Sequence, residues 1–296
     1  MRRRRFRPEV ALAIACLALF AALALHGAGS HPIERVGGAE QDGHVARAEG
    51  LLEGEMPRDP LRPPLYPLLV AAVASLGIEP FAAARLVSNL ASTGLAALAW
   101  GFGRRFGGLS SAWLAFALVG AHPFVWTGGQ EAATDPLFAM FGALGWLAAL
   151  VWLERPARST ALAGGAALGL AFLTRGSALF LLPGFLLLPL FAARRGEGRR
   201  PLPWRDLAAA AALCAALVAP LLGLRYLQFG DPFHDENWRN LAYKLFGRGD
   251  WSYLARAPFD GVASVVAADP GRFVRSGIEQ LRVLVAGGGG FLFVRI

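Results

Sequence analysis

The chain has 296 residues, 55% of them hydrophobic and only 17% charged, with a formal net charge of +8. Soluble proteins average about 45–50% apolar and about 25% charged residues, and here the apolar residues come in long blocks. A soluble enzyme, a disordered chain and a disulfide scaffold are therefore excluded, and the sequence is that of an integral membrane protein. Lys244 is the only lysine, and the arginines lie between apolar blocks rather than along one stripe, which argues against a nucleic-acid partner. Cys16 and Cys214 both sit inside apolar runs, leaving no disulfide framework or CxxC metal pair.

Behind Arg2, Arg3, Arg4, Arg5 and Arg7, the apolar run Val10–Leu25 reads either as a cleaved signal peptide or as an uncleaved anchor. The anchor is the better reading, because later spans hold the protein in the membrane in any case. Asp42 then stands just before a helix-like stretch from His44 to Leu52. A carboxylate there suits a helix N-cap, and near the membrane surface it could also take a proton from an acceptor hydroxyl or amine. Next, four prolines fall within residues 60–67, around Arg62 and Tyr66, and stop any regular helix. Arg62 is placed either to snorkel at the interface or to pair with a phosphate through its guanidinium fork. The stretch Tyr66–Gly77 is too short to cross a bilayer and is expected to lie in the interface.

Crossing a bilayer takes about 20 residues, and six further blocks come near that length: Phe81–Gly103, Leu109–Thr127, Thr134–Leu153, Ser159–Thr174, Ala178–Ala193 and Leu207–Leu227. Alternating them from a cytoplasmic N-terminus puts Arg104, Arg105, Arg155, Arg158, Arg194, Arg195, Arg199, Arg200 and Arg205 on the inner side, the positive-inside pattern. Two long acidic or mixed loops, 27–80 and 228–280, then fall on the exported side. Arg85 opens the second span and Arg175 ends the fifth on that same side, without an acidic partner nearby in sequence. Asp135, followed by Pro136, opens a span there; it reads as an ordinary helix start or as a group that orients an arginine or binds a metal. In the second loop Asp231, His234, Asp235 and Glu236 offer oxygen and nitrogen ligands, so a divalent metal ion is the one cofactor this chain suggests, although the spacing fits no specific motif. The last apolar stretch, Val283–Ile296, carries four consecutive glycines and reads as an incomplete span.

The expected fold is all-α: a polytopic transmembrane helix bundle with exported juxtamembrane loop helices. Its parts are an anchor over 1–26, a first exported loop with interfacial helices over 27–80, and a six-helix transmembrane bundle over 81–227. A second exported loop over 228–280 and the incomplete span over 281–296 follow.

The order of these features resembles the membrane glycosyltransferases of the C superfamily, in particular the bacterial branch related to protein O-mannosyltransferases and the lipid A aminoarabinose transferase. The resemblance rests on Asp42 in the first loop, the segment from Arg62 to Leu69 (Arg-Pro-Pro-Leu-Tyr-Pro-Leu-Leu) and Ala84-Arg85-Leu86. Thr134-Asp135-Pro136-Leu137, Leu173-Thr174-Arg175-Gly176 and Gly230-Asp231-Pro232-Phe233 extend it, so that it covers roughly residues 1–240. It implies transfer of a sugar from a polyprenyl-phosphate donor to a lipid, glycan or protein acceptor on the exported face of an inner membrane. Asp42 would be the general base; Arg62, Tyr66, Arg85, Asp135 and Arg175 would meet the substrate, the arginines at its phosphate. The sequence departs from the family where Gly43 follows Asp42 in place of a second acid and where Ala46 stands in place of an aromatic residue. The chain also has fewer spans than the family's usual complement, so it reads as C-terminally truncated. Two other readings stand beside the enzyme: a transporter or flippase of lipid-linked substrates, and a non-catalytic truncated relative.

Overall fold

The computed structural model describes residues 8–30, 43–56, 62–185, 187, 204–234, 236–250 and 252–286. Among these residues the chain is helical and contains no strand. It divides into two compact units, one formed by Met1–Arg58 with Arg62–Leu224 and the other by Asp59–Leu61 with Arg225–Ile296.

The first unit begins with α1 (Pro8–Ser30), α2 (His44–Leu52) and α3 (Leu65–Ala74). α2 starts where the sequence suggests, but its cap position is held by Gly43 in the left-handed region (φ 64°) and no side chain caps it. Asp42, the residue before it, lies outside the described residues. α3 has 10 residues, too few to cross. It is more than an interfacial helix, because Tyr66, Pro67, Val70, Ala71 and Ala74 are buried against the neighbouring helices while Leu68 and Leu76 stay exposed.

α4 (Pro80–Gly120) contains the second expected span and most of the third. Gly108 breaks it, with φ 85° and ψ −167°. Thirteen residues of continuous helix would separate Trp100 from Trp113 by about 20 Å, yet their rings meet edge to face at 6.3 Å. The chain therefore doubles back at Gly108. Gly103 is required beside that turn, since a Cβ there would lie 2.4 Å from the Ser111 carbonyl oxygen. The expected span Leu109–Thr127 is also interrupted near its end. Pro123 bars helix at the residue before it, so His122 turns extended and its Nδ1 accepts the Phe124 N–H at 3.2 Å, starting the short α5 (Pro123–Gly128).

α6 (Asp135–Glu154) and α7 (Arg158–Thr174) pack through small residues: an added Cβ on Gly164 would sit 3.7 Å from that of Ala148. A 3₁₀ turn, Gly176–Leu181, follows α7, and α8 (Trp204–Phe229) closes the unit. Gly165 and Gly169, four apart, let the α8 backbone approach at Ala210 and Cys214. Close approach of this kind is how helices associate in lipid, where no water drives them together.

Among the described residues, four helices are long and apolar enough to cross a membrane: Glu9–Gly27, Pro80–Gly120, Asp135–Glu154 and Trp204–Phe229. Only 17% of the first and 6% of the last of these apolar windows is buried inside the protein. Exposed Leu12, Ile14, Leu19 and Leu23 on α1 face outward, as lipid-contacting residues do. The fold is an all-α polytopic membrane bundle, and the protein is an integral multi-pass membrane protein.

The second unit carries α9 (Trp238–Phe246), α10 (Tyr253–Arg256), α11 (Val262–Ala268) and α12 (Pro270–Ala286). Its small core is Ala242, Leu245 and Val265, with Trp238, Leu241, Phe246, Tyr253 and Phe259 packed around them.

Candidate active site

The antiparallel helices of the first unit give it two chemically different ends. At one end the fold-back of α4 brings Arg104 to 3.9 Å from Glu9 at the start of α1, and Arg105 pairs with Glu154 at the end of α6. At the other end lie the finish of α1, the starts of α4 and α6, and the finish of α7. A core of Val45, Ala48, Tyr66, Val70, Ala84, Val87, Ala132 and Leu137 joins α2, α3, α4 and α6 there. Tyr66, Arg85, Asp135 and Arg175, expected from the sequence as substrate residues, belong to that second rim.

Tyr66 organises the rim from within. It is fully buried, and its hydroxyl lies 2.9 Å from the Ala84 carbonyl and 2.7 Å from the Ser88 Oγ. Ser88 Oγ in turn accepts the Ala133 N–H at 3.2 Å and lies 3.0 Å from the Ala133 carbonyl. Two hydroxyl protons serve three such contacts, so the two side chains share their donors in a chain that pins the 129–134 loop to α4. Tyr66 has no exposed surface and its hydroxyl is engaged, so it helps hold the 129–134 loop to α4.

Arg85 Nε donates to the Gln130 carbonyl at 3.0 Å, and its guanidinium carbon lies 5.8 Å from the Phe81 ring centroid. One terminal nitrogen, Nη2, is buried without a hydrogen-bond partner among the described residues. A buried guanidinium donor left unmatched is costly, and it is a ready site for an anionic oxygen. Arg62 is half-buried in the segment leading into α3.

Arg175 ends α7 in extended backbone (φ −150°, ψ 133°) and pairs with Asp135 in the first turn of α6. The partner that the sequence did not show for Arg175 is thus 40 positions away. Asp135 is helical, at the first position of α6 before Pro136, while Thr134 holds the cap position without a side-chain bond. The arginine-orienting alternative describes Asp135 better than a mere helix start. Glu131, four residues earlier, has no ion pair among the described residues; burial, and secondly the charge of Asp135, push its carboxyl above the ordinary value. Sequence reasoning missed Glu131, although an acid four positions before Asp135 in a short loop between spans was a usable signal.

The expected metal ligands are in the second unit. Asp231 Oδ1 accepts the Phe233 N–H at 2.9 Å, His234 stacks on Phe229 at 4.4 Å, and Glu236 lies 2.7 Å from Arg239 Nε and 3.6 Å from His234. Asp235 lies outside the described residues. No group of three His, Cys, Asp or Glu side chains suited to a metal occurs among the described residues. The described members of the cluster hold their own loop together.

No similar sequence was found among curated proteins. The chain resembles a solved chain from the S. cerevisiae protein O-mannosyltransferase Pmt1–Pmt2 complex bound to the sugar donor, with 20% identity and a TM-score of 0.54. The match covers 78% of this chain and 35% of that one, so this chain spans about a third of its length. The two share a fold. Residues 61–223, more than half of the sequence, match the family model described as dolichyl-phosphate-mannose-protein mannosyltransferase. On that match, the chain belongs to the dolichyl-phosphate-mannose-protein mannosyltransferase family.

Proposed function

We propose that the protein transfers a sugar, with mannose the first candidate, from a polyprenyl-phosphate donor to an acceptor on the exported face of the membrane. The observation that carries this reading is the buried, unmatched Nη2 of Arg85, on the same rim as the Asp135–Arg175 pair. A lipid-linked donor must keep its tail in the bilayer while its phosphate is held at the interface by fixed cations. Arg85, Arg175 and Arg62 supply them, with Asp135 orienting Arg175. The arginines stabilise negative charge as it grows on the phosphate leaving group. Asp42 takes the proton of the acceptor, whose oxygen or nitrogen attacks the anomeric carbon and inverts it. In support, Asp42 immediately precedes Gly43 and α2, and α2 is part of the rim core through Val45 and Ala48. The basic turn holding Arg104 and Arg105 at the opposite end favours an exported rim by the positive-inside rule.

The test uses membranes containing the full chain, labelled polyprenyl-phosphate sugars, and the variants Asp42→Asn, Arg85→Gln and Arg175→Gln. Loss of one preorganised donor to a developing oxyanion lowers rate by about 10²–10³-fold, and each arginine variant is expected to fall in that range at unchanged protein level. Transfer by Asp42→Asn equal to that of the unmodified protein would remove Asp42 from the mechanism. Full activity in both arginine variants would refute the phosphate site.

A further inference from the structure

The connection from α5 to α6 is fixed to three helices. A Cβ on Gly128 would meet Pro136 of α6 at 2.9 Å, one on Gly129 would meet Ser92 Oγ of α4 at 3.1 Å, and one on Gly27 of α1 would meet Gln130 Nε2 at 2.8 Å. Arg85 Nε donates to the Gln130 carbonyl at 3.0 Å and Ser88 Oγ accepts the Ala133 N–H at 3.2 Å. Ala132 and Thr134 are buried. Glu131 stands out against these neighbours. It is half-buried, yet its carboxyl makes no hydrogen bond or ion pair among the described residues.

Cations are at hand on the same rim. Arg85 is bonded to the residue just before Glu131, and Asp135, whose charge acts on Glu131, is paired with Arg175. A polar group left unmatched on burial is costly, so an acid that joins neither arginine on a fixed loop is suited to a ligand. The donor phosphate is not the part of the ligand it faces, since like charges repel. What remains of a lipid-linked donor outside the bilayer is its neutral sugar.

We propose that Glu131 binds hydroxyl groups of the sugar carried by the donor and so sets which sugar is transferred. The inference deepens the transferase reading and rests on it. Two carboxyl oxygens can accept from two neighbouring pyranose hydroxyls, and such bonds are stronger when the acceptor is charged. The loop is already ordered by its packing, so little freedom is lost when the sugar arrives. A site that hydrogen-bonds a hydroxyl rejects an analogue lacking it. One acid can thus discriminate between sugars while the arginines hold the phosphate that all such donors share.

The experiment measures binding of labelled lipids to the full chain in nanodiscs, with transfer assayed in parallel. The probes are polyprenyl phosphate and polyprenyl phosphate bearing mannose, glucose or galactose. The unmodified protein is expected to prefer one sugar-bearing lipid. Glu131→Ala should weaken that lipid by about 10–100-fold and leave bare polyprenyl phosphate within about twofold, which also reports that the variant is folded. Glu131→Gln keeps one acceptor oxygen and should recover part of the loss. Arg85→Gln should weaken all four lipids alike. Equal losses on bare and sugar-bearing lipid in Glu131→Ala, or no loss on either, would overturn the inference. So would a fall in transfer at unchanged affinity, which would make Glu131 a proton acceptor. If the unmodified protein bound none of the four lipids, the transferase reading itself would fall, and this inference with it.

Discussion

Ser88→Ala is the sharpest probe of how the rim is held. The Ser88 Oγ is the acceptor for the Ala133 N–H and links Tyr66 to the loop that carries Glu131 and leads into Asp135. Its removal leaves a backbone N–H without a partner in a site where Ser88 itself is 0% exposed, and such a loss costs about 1–3 kcal/mol. For a chain of this size each kcal/mol shifts Tm by about 2–4 °C, so Ser88→Ala should unfold about 2–12 °C lower. Tyr66→Phe removes one hydroxyl but leaves Ser88 free to donate to Ala133, and should cost about 0.5–1.5 kcal/mol. Because the two share protons, the double variant should cost at least about 0.5 kcal/mol less than the sum of the singles. Thermal unfolding of the detergent-solubilised chain, followed by intrinsic tryptophan fluorescence, measures all three. Strict additivity, or an unchanged Tm in Ser88→Ala, would refute the shared-donor chain.

Asp135→Asn removes an ion pair whose two side chains are 42% and 39% exposed. Such pairs contribute about 0–1 kcal/mol, so Tm should hardly move while sugar transfer falls; a large Tm loss in unfolding scans would make the pair structural. Gly165→Ala would put a Cβ 2.2 Å from the Ala210 carbonyl oxygen of α8, against backbone that cannot swing aside. It should cost about 1–3 kcal/mol, whereas Gly101→Ala, with nothing within 4 Å of its added Cβ, should be neutral or stabilising in the same scans. Glu131 has a raised carboxyl, so the folded state binds its proton more tightly than the unfolded state does, and stability from this group falls as pH rises through the raised value. Glu131→Gln should therefore gain on the unmodified protein between acid and neutral pH, and parallel Tm–pH curves for the two would contradict the assignment.

Much of this molecule is written in local sequence, because local physics decides it. The apolar blocks, Gly43 and Pro123, and the arginines between spans set where helices begin and which way they alternate, so α2 starts at His44 and the basic turn lies opposite the rim. The same local reading could not show which groups face Tyr66 and Arg175. A hydroxyl or guanidinium is defined by what faces it, and here the facing groups are 18 to 40 residues away. The sequence alone settled that the chain is a helical membrane protein with acid and arginine near one surface, since hydrophobicity and charge need only their neighbours. Packing alone decided that Ser88 and Tyr66 hold the loop and that Arg85 keeps a buried donor unmatched among the described residues, since these depend on helices that meet only in three dimensions.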